Sequence, residues 1–448
     1  MKLSIIGTGY VGLVSGVCFA ELGFDVVCID RDRSKIDRLT SGGIPIWEPG
    51  LDALVARNAE AGRLHFTDDL AQGVAGTDVV FVAVGTPPIE GSDFPDLSAV
   101  EAVFGQLKNV ATPEQLIVIK STVPVGTTAR MQALLEGAGC KATVASNPEF
   151  LREGCAIQDF MEPDRVVAGV TTARDKALFA KLYQPLTDKG AVLFLTTPQS
   201  SELIKYTANS LLALRVAYIN EIADVCEKMG ANIRDVAKGI GLDHRIGPKF
   251  LNAGPGVGGS CFPKDTQALT ALARESGAPA TIIEAAIQSN NIRKQRMVEK
   301  VVQAAGGSVD GLTIGVLGLT FKPNTDDMRE SPSIDIVRGL QAAGGRIQAY
   351  DPEGMEQAKA IFEGVTFVAD SYAAAKDADV LVVITEWSEF APMDLTRMGQ
   401  LMKRKLVVDL RNIYKRQDMM AAGFDYVSVG REAVGQDTSE VKDLLQIL

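Results

Sequence analysis

Leu3-Ser4-Ile5-Ile6-Gly7-Thr8-Gly9-Tyr10-Val11-Gly12 opens the chain, and the residues up to Asp30 decide how it is read. The apolar run Leu3 to Ile6 predicts a buried strand, the glycines end it, an apolar helical stretch follows from Leu13 to Leu22, and a second strand, Asp25 to Ile29, stops at Asp30. The glycines serve different ends. Gly7 makes the tight turn, Gly9 lets a pyrophosphate approach the backbone, and Gly12 lets the helix pack close to the strand. The helix N-terminus then faces the phosphates. Asp30 can accept hydrogen bonds from the adenosine ribose hydroxyls, which favours NAD because the 2′-phosphate of NADP would meet a carboxylate. Arg31 and Arg33 keep NADP open. Tyr10 and Val11 in the motif and Lys35 soon after Asp30 complete the first set of cofactor candidates. A bare GxGxxG is weak evidence, but between two strands with an acid at the end of the second it is strong.

The composition admits a large soluble protein. The chain has 448 residues, 46% of them apolar and 23% charged, enough for two to four domains. A net charge of −11 argues against nucleic acid or an anionic membrane as the main partner, while a local basic pocket for a phosphorylated ligand stays open. No signal-peptide pattern or spanning apolar run is read. Six scattered cysteines without metal-type pairs predict no metal site and suit a reducing cytoplasm. With only His65 and His244 present, lysine, carboxylate and thiol are the first candidates for catalysis.

Further along, the apolar run Asp78 to Val84 stops at Gly85-Thr86-Pro87-Pro88, and Leu116 to Lys120 stops at Ser121-Thr122. Ligands of doubly wound sheets gather at the carboxyl ends of strands, so Thr86 and Thr122 are either cofactor contacts or ordinary turn threonines. Glu149 and Glu153, four apart, would share a face if their segment were helical. Two short strands, around Val166 to Val170 and Ala191 to Leu195, close the first domain. A serine cap at Ser200-Ser201-Glu202 then predicts a helix of about thirty residues running to Met229-Gly230, roughly 45 Å long. On it Lys205 and Asn209 share a face and could offer a positive charge and a hydrogen bond to an alkoxide. Gly254-Pro255-Gly256-Val257-Gly258-Gly259-Ser260-Cys261 ends at a thiol, and Pro263 predicts that a helix starts there. The helix N-terminus and nearby Lys264 favour thiolate, so Cys261 is read either as a covalent nucleophile or as a small buried hydrophobe. Strands around Leu312 to Gly318, Ile347 to Asp351, Asp379 to Ile384 and Leu406 to Leu410 repeat the order of the first half. They lack the full fingerprint, so a different ligand is expected there. Residues from about Arg431 onward are expected to form a mobile tail.

Gly-Gly-Ser-Cys-Phe-Pro-Lys-Asp-Thr, together with Val-Gly-Thr-Pro-Pro, Pro-Glu-Phe-Leu, Lys-xxx-Asn and the Phe321-Lys322 segment, resembles the UDP-glucose/GDP-mannose dehydrogenase family in order and over nearly the whole chain. The resemblance implies two Rossmann-like doubly wound parallel-sheet α/β domains, 1–197 for NAD and 301–448 for the UDP-sugar. A long central helix in a helical, dimer-forming domain, 198–300, joins them. It implies oxidation of the C6 alcohol of UDP-glucose to the carboxylate with two NAD⁺ and one water, in a cytoplasmic homodimer; the same chemistry on GDP-mannose or a UDP-N-acetylhexosamine stays open. By the same resemblance Cys261, Lys205, Asn209, Asp265, Glu149 and Thr122 form the catalytic group, with Thr122 and Asp265 directing water and Glu149 as base. Thr86, Thr122, Glu153 and Lys264 join the cofactor contacts. The nucleotide sugar would meet Glu149, Phe150, Leu151, Lys205, Asn209, Phe250, Leu251, Gly258, Phe262, Phe321, Lys322 and Arg411, with Arg245 reaching it across the dimer. Asn252 stands where some relatives have lysine, which puts one phosphate or ribose contact in doubt. A two-electron hydroxyacid dehydrogenase and a non-enzymatic NAD-binding sensor share the fingerprint. The thiol loop argues against the first, and Lys205, Asn209 and Cys261 together argue against the second.

Overall fold

Strands buried on both faces carry no polar alternation, and in the first sheet Val79–Val82 and Leu116–Ile119 are wholly apolar and buried along their length. The computed structural model describes residues 1–435. In its first unit, Met1–Ala208, the strands are β1 (Lys2–Ile6), β2 (Asp25–Ile29), β3 (Leu64–Thr67), β4 (Val79–Val82), β5 (Leu116–Ile119), β6 (Thr143–Ser146), β7 (Arg165–Gly169) and β8 (Val192–Thr196). They lie in the order β3-β2-β1-β4-β5-β6-β7-β8. The ladder from β3 to β6 is parallel. β7 departs from the expected parallel sheet: it meets β6 antiparallel at Ser146 and Gly169, and β8 then runs parallel to β7. The connection from β6 to β7 holds only the six-residue helix Ala156–Met161, too short to act as a covering crossover.

The central helix runs from Pro198 to Met229, 32 residues, or about 48 Å at the usual rise. It begins earlier than a serine cap at Ser200 predicts. Pro198 takes the first helical position, where its missing N–H costs nothing, and the Thr197 hydroxyl accepts from the Ser200 backbone N–H at 3.2 Å. Ser201 is instead buried against Ser146, with their hydroxyls 3.0 Å apart.

The second unit, from Asn209 onward, holds the helices Ile233–Gly241, Phe262–Glu275 and Thr281–Ala304. Its sheet comprises β9 (Thr313–Leu317), β10 (Arg346–Tyr350), β11 (Thr366–Phe367), β12 (Val380–Val383), β13 (Leu406–Asp409) and β14 (Asp425–Ser428). All are parallel, in the order β11-β10-β9-β12-β13-β14. The same winding, 3-2-1-4-5-6, therefore stands in both units, as the repeated strand order implies. Arg431, where the tail is expected to start, is buried, and its guanidinium donates to the Tyr426 hydroxyl at 2.6 Å. The rest of the expected tail, 436–448, lies outside the described residues. No helix among the described residues is long and apolar enough to cross a membrane.

One carboxylate ties the central helix to the first sheet. Glu202, buried, accepts from the backbone N–H groups of Gly126 and Thr128, both at 2.7 Å, and from the Thr128 hydroxyl at 2.6 Å. It thereby caps the helix Thr127–Gly137 from outside its own sequence. Glu202→Ala leaves those buried donors unpaired and is expected to cost about 1–3 kcal/mol, read as a lower urea midpoint with an unchanged m-value.

Candidate active site

The cofactor cradle is built by the first strand and helix. Gly7 has φ 101°, a conformation that favours glycine, and a Cβ on Gly12 would stand 1.9 Å from the Gly7 carbonyl oxygen. At Gly9 a Cβ would meet nothing within 4 Å, so the backbone lies open where a pyrophosphate would approach. Asp30 is held in place by Thr8, whose backbone N–H and hydroxyl donate to Oδ2 at 2.8 and 2.7 Å, and by the N–H of Asp32. Burial opposes its charge, but these donors and Lys35 outweigh that and hold the carboxyl below the ordinary range. Arg33, which kept NADP open, is paired with Asp37 and Asp68 at 3.0 and 2.9 Å. The cradle fits NAD. Tyr10, in the first turn, donates to Glu48, and Glu48 in turn accepts from the N–H groups of Gly154 and Ala156 at 2.6 and 2.7 Å. Glu48 thus fastens the segment after Glu153 to the helix of the fingerprint. At the neighbouring strand ends, the Thr86 hydroxyl donates to the Thr122 carbonyl at 2.8 Å.

Glu149 and Glu153 do not share a helical face, because the segment 147–152 is irregular loop and Glu153-Gly154 is a turn. In this loop Glu149 accepts from the Leu151 N–H at 2.5 Å while its Oε1 takes the Lys205 ammonium at 2.9 Å. Lys205 and Glu149 are only 4% and 7% exposed. Burial pushes the Glu149 carboxyl up, but Lys205, the Leu151 N–H and the charge of Lys120 together hold it below its ordinary range. The pair therefore stands as ammonium and carboxylate. The Phe150 ring lies 5.5 Å from the Lys205 nitrogen and 3.7 Å from the Arg165 guanidinium.

In the second unit the thiol sits where the sequence predicts. Cys261 is exposed and is the N-cap of Phe262–Glu275, with Pro263 in the first turn. Its sulfur lies 3.5 Å from the Ser260 hydroxyl, and its carbonyl accepts the Asp265 N–H at 2.8 Å. Asp265 is buried, and its two oxygens accept from Asn209 Nδ2 and from the Lys264 ammonium, each at 2.6 Å. Lys264 thus directs its charge at the carboxylate one residue on.

The same unit gathers most of the substrate candidates around the glycine loop. A Cβ on Gly259, whose φ is 88°, would stand 2.7 Å from the Phe321 ring, and one on Gly258 would stand 2.4 Å from the Glu330 carbonyl oxygen. A Cβ on Gly254 would stand 3.1 Å from an Arg411 nitrogen. The Phe250 and Phe262 rings are 6.1 Å apart, and Leu251 is buried in the hydrophobic core of this unit. Lys322 lies 5.4 Å over the Phe321 ring. Arg245 stands apart from these, 78% exposed and paired with Asp243 at 2.5 Å.

Sequence reasoning missed Glu48, Lys120, Asn147 and the capping role of Glu202. Nothing local marks them, because their partners lie up to 108 residues away. A dinucleotide cradle and a thiol at a helix start, on a fold of this winding, define an NAD-dependent dehydrogenase. The model of the UDP-glucose/GDP-mannose dehydrogenase family's NAD binding domain matches residues 1–187, that of its central domain 199–292 and that of its UDP binding domain 315–416. The chain belongs to the UDP-glucose/GDP-mannose dehydrogenase family. It is 53% identical to the UDP-glucose 6-dehydrogenase of Rhizobium meliloti (strain 1021), covering 96% of this chain and 100% of that one. It is 46% identical to the UDP-glucose 6-dehydrogenase TuaD of Bacillus subtilis (strain 168), covering 97% and 94%. Among solved structures it resembles a UDP-glucose dehydrogenase from the hyperthermophilic archaeon Pyrobaculum islandicum, with a TM-score of 0.88, 36% identity and coverage of 96% and 98%.

Two variants probe this geometry. Asp30→Ala removes a charged acceptor and is expected to weaken NAD⁺ binding about ten- to hundredfold, with NADP⁺ hardly affected, as read by titration of each cofactor. Glu149→Gln leaves a buried ammonium without its counter-charge and is expected to cost about 3–5 kcal/mol, measured by denaturant unfolding at neutral pH.

Proposed function

We propose that the chain converts UDP-glucose to UDP-glucuronate, consuming two NAD⁺ and one water for each C6 alcohol carried to the carboxylate. The exposed thiol at the start of Phe262–Glu275, one helical turn before the buried Asp265, carries this reading, and the similarity to UDP-glucose 6-dehydrogenases supports the choice of sugar. Gly7, Gly9, Gly12 and Asp30 would hold NAD⁺, which when bound would supply the oxidising chemistry as acceptor of a hydride from C6 in each of two rounds.

The chain's own groups do the rest. Lys205, an ammonium in a dry site, donates to the C6 oxygen as the hydroxyl proton of that oxygen passes to water, and it stabilises the developing oxyanion. An aldehyde has no second carbinol hydrogen to lose until something adds to it. The Cys261 sulfur bonds to C6 and creates that centre as a thiohemiacetal, and the bond persists when the carbon reaches the thioester level. Water then attacks the thioester, directed by Thr122 and Asp265, with Glu149 taking its proton. The C–S bond breaks and the thiol returns unchanged. Glu149 gains basicity for this step when Lys205 turns to the substrate oxygen, because the charge that depressed its pKa is then shared. Asn209, bound to Asp265, orients that carboxylate. Phe250, Leu251, Gly258, Phe262, Phe321, Lys322 and Arg411 contact the nucleotide sugar, with Thr86, Glu153 and Lys264 beside the cofactor.

In this reading 1–197 serves NAD, 198–300 pairs the subunits and 301–448 holds the UDP-sugar, in a cytoplasmic homodimer. Leu211, Tyr218 and Val225 support the dimer: they recur every seven residues on the central helix, are 59%, 52% and 47% exposed, and so present an apolar stripe for a second copy. Arg245, exposed on its own subunit, then reaches the sugar of the neighbour.

The NADH yield per nucleotide sugar tests the chemistry, in a panel of UDP-glucose, GDP-mannose and UDP-N-acetylmannosamine. It should approach two with UDP-glucose, and a yield of one excludes the thioester route. Cys261→Ala should abolish acid formation while NAD⁺ binding persists; full turnover by that variant would remove the sulfur from the mechanism.

A further inference from the structure

Glu149 and Lys205 share the first unit with a second buried lysine. Lys120 follows the end of β5 and is 4% exposed. Its ammonium donates to Asn147 Oδ1 at 3.3 Å and lies 5.8 Å from the Phe81 ring. Among the described residues that is a poor set of partners for three N–H donors. Asn147 does not need it: its Oδ1 already accepts from the Tyr183 hydroxyl at 2.6 Å, its Nδ2 donates to the Val167 carbonyl at 2.7 Å, and its N–H bonds to the Ile119 carbonyl at 2.9 Å. A neutral side chain of similar length would fill the space at lower cost, since a buried charge is expensive. What the ammonium does face is charge: Glu149 on the loop after β6 and Lys205 on the central helix both act on it electrostatically, and Tyr183 on the helix Ala173–Thr187 joins through Asn147. Two buried lysines therefore act on one carboxylate, and Asn147, to which Lys120 donates, lies two residues before it.

We infer that Lys120 is a positioning residue for the reaction proposed above: a second buried ammonium that holds Glu149 as a carboxylate and adds its positive charge to that of Lys205 while an oxyanion forms on the substrate. The inference rests on that functional reading. It assigns Lys120 no contact with substrate or cofactor; its effect travels through the carboxylate and the other lysine. Burial, together with the like charge of Lys205, pulls the Lys120 ammonium down to about 8, against the pull of Glu149 in the other direction. The Lys120 charge is thus present on the acid side of about pH 8 and lost above it. The sign for stability is the opposite. A lysine whose folded-state pKa lies below its unfolded value disfavours the folded state while charged, so stability rises as pH climbs from about 8 toward the ordinary lysine value of 10.5. Removing the charge should therefore spare or raise stability while harming turnover, which a merely structural residue would not do.

The test uses the full chain carrying Lys120→Met or, to keep a hydrogen bond to Asn147 without charge, Lys120→Gln. Turnover of UDP-glucose with NAD⁺ is followed across the pH range that brackets about 8, alongside the unmodified chain and thermal unfolding. Both variants should lose about ten- to hundredfold in kcat at neutral pH, with KM changed less than about threefold. The unmodified chain should show a fall in turnover on the alkaline side of about pH 8 that both variants lack, and neither variant should melt at a lower temperature. An unchanged kcat with the alkaline fall intact overturns the role, as does a joint loss of kcat and melting temperature with that fall intact. The unmodified chain separates this from the functional reading. No NADH from it removes the reading itself, whereas full turnover by it and by both variants removes only Lys120.

Discussion

An ammonium and a carboxylate facing each other at 2.9 Å, each almost wholly out of water, constrain the first unit more than any apolar contact. Desolvating two such ions costs several kcal/mol apiece, and a well-packed apolar pair of similar volume would be as stable or more so. Stability alone therefore does not account for Glu149 and Lys205. The surroundings are arranged to keep them in place: the Leu151 N–H fixes the carboxylate, Asn147 anchors the loop to β7, and Glu202 clamps the start of the central helix to the helix Thr127–Gly137. A cation held in a dry site costs little to reorganise when a negative charge develops beside it, which is the condition for electrostatic catalysis.

The second unit meets a different constraint, one of space. The glycines before Cys261 read in the sequence as room for a ligand. In the fold much of that room is taken by the chain itself: Phe321 lies on Gly259, the Glu330 carbonyl on Gly258 and the Arg411 guanidinium near Gly254. The Gly259 N–H also donates to the Arg329 carbonyl at 3.0 Å. A side chain at Gly258 or Gly259 would push the loop away from the segment 321–332, so the absence of Cβ atoms at these two positions lets the helix that starts at Cys261 begin where it does.

Features whose causes are local were legible in the sequence. The strand, glycine turn, helix and Asp30 lie within thirty residues, and Pro263 two places after the thiol announces a helix. The central helix was legible in length but not in its start, because Pro198 and Thr197 outcompete the serines as cap. The pairing of Lys205 with Glu149 spans 56 residues. Family resemblance named both residues, but their spacing could not reveal the contact, and the shared face that Glu149 and Glu153 would have had in a helical segment does not form. Glu48 and Lys120 had no local signal at all. A glutamate in a loop and a lysine at a strand end ordinarily read as solvated groups, and only the folded chain shows them buried.

The two sheets share one winding, yet they treat the acid at the end of the second strand differently, and this explains why one half keeps the dinucleotide. Asp30 is oriented by Thr8 and Asp32 but remains partly exposed, with acceptor capacity left for a ribose. Asp351, at the matching place after β10, is fully buried and accepts from the N–H groups of Leu319, Thr320, Glu353 and Gly354 and from the Trp387 indole. The turn before it is closed as well, since Thr385 packs against Gly318 where a Cβ would stand 2.4 Å away. The carboxylate that could have bound a ribose has become the internal fastening of its own loop. That closure pins the start of the polar segment 321–332, on which Phe321 and Lys322 lie and against which the thiol loop packs. The second sheet therefore has a fixed platform where the first keeps an open cradle, and the same winding can serve two ligands.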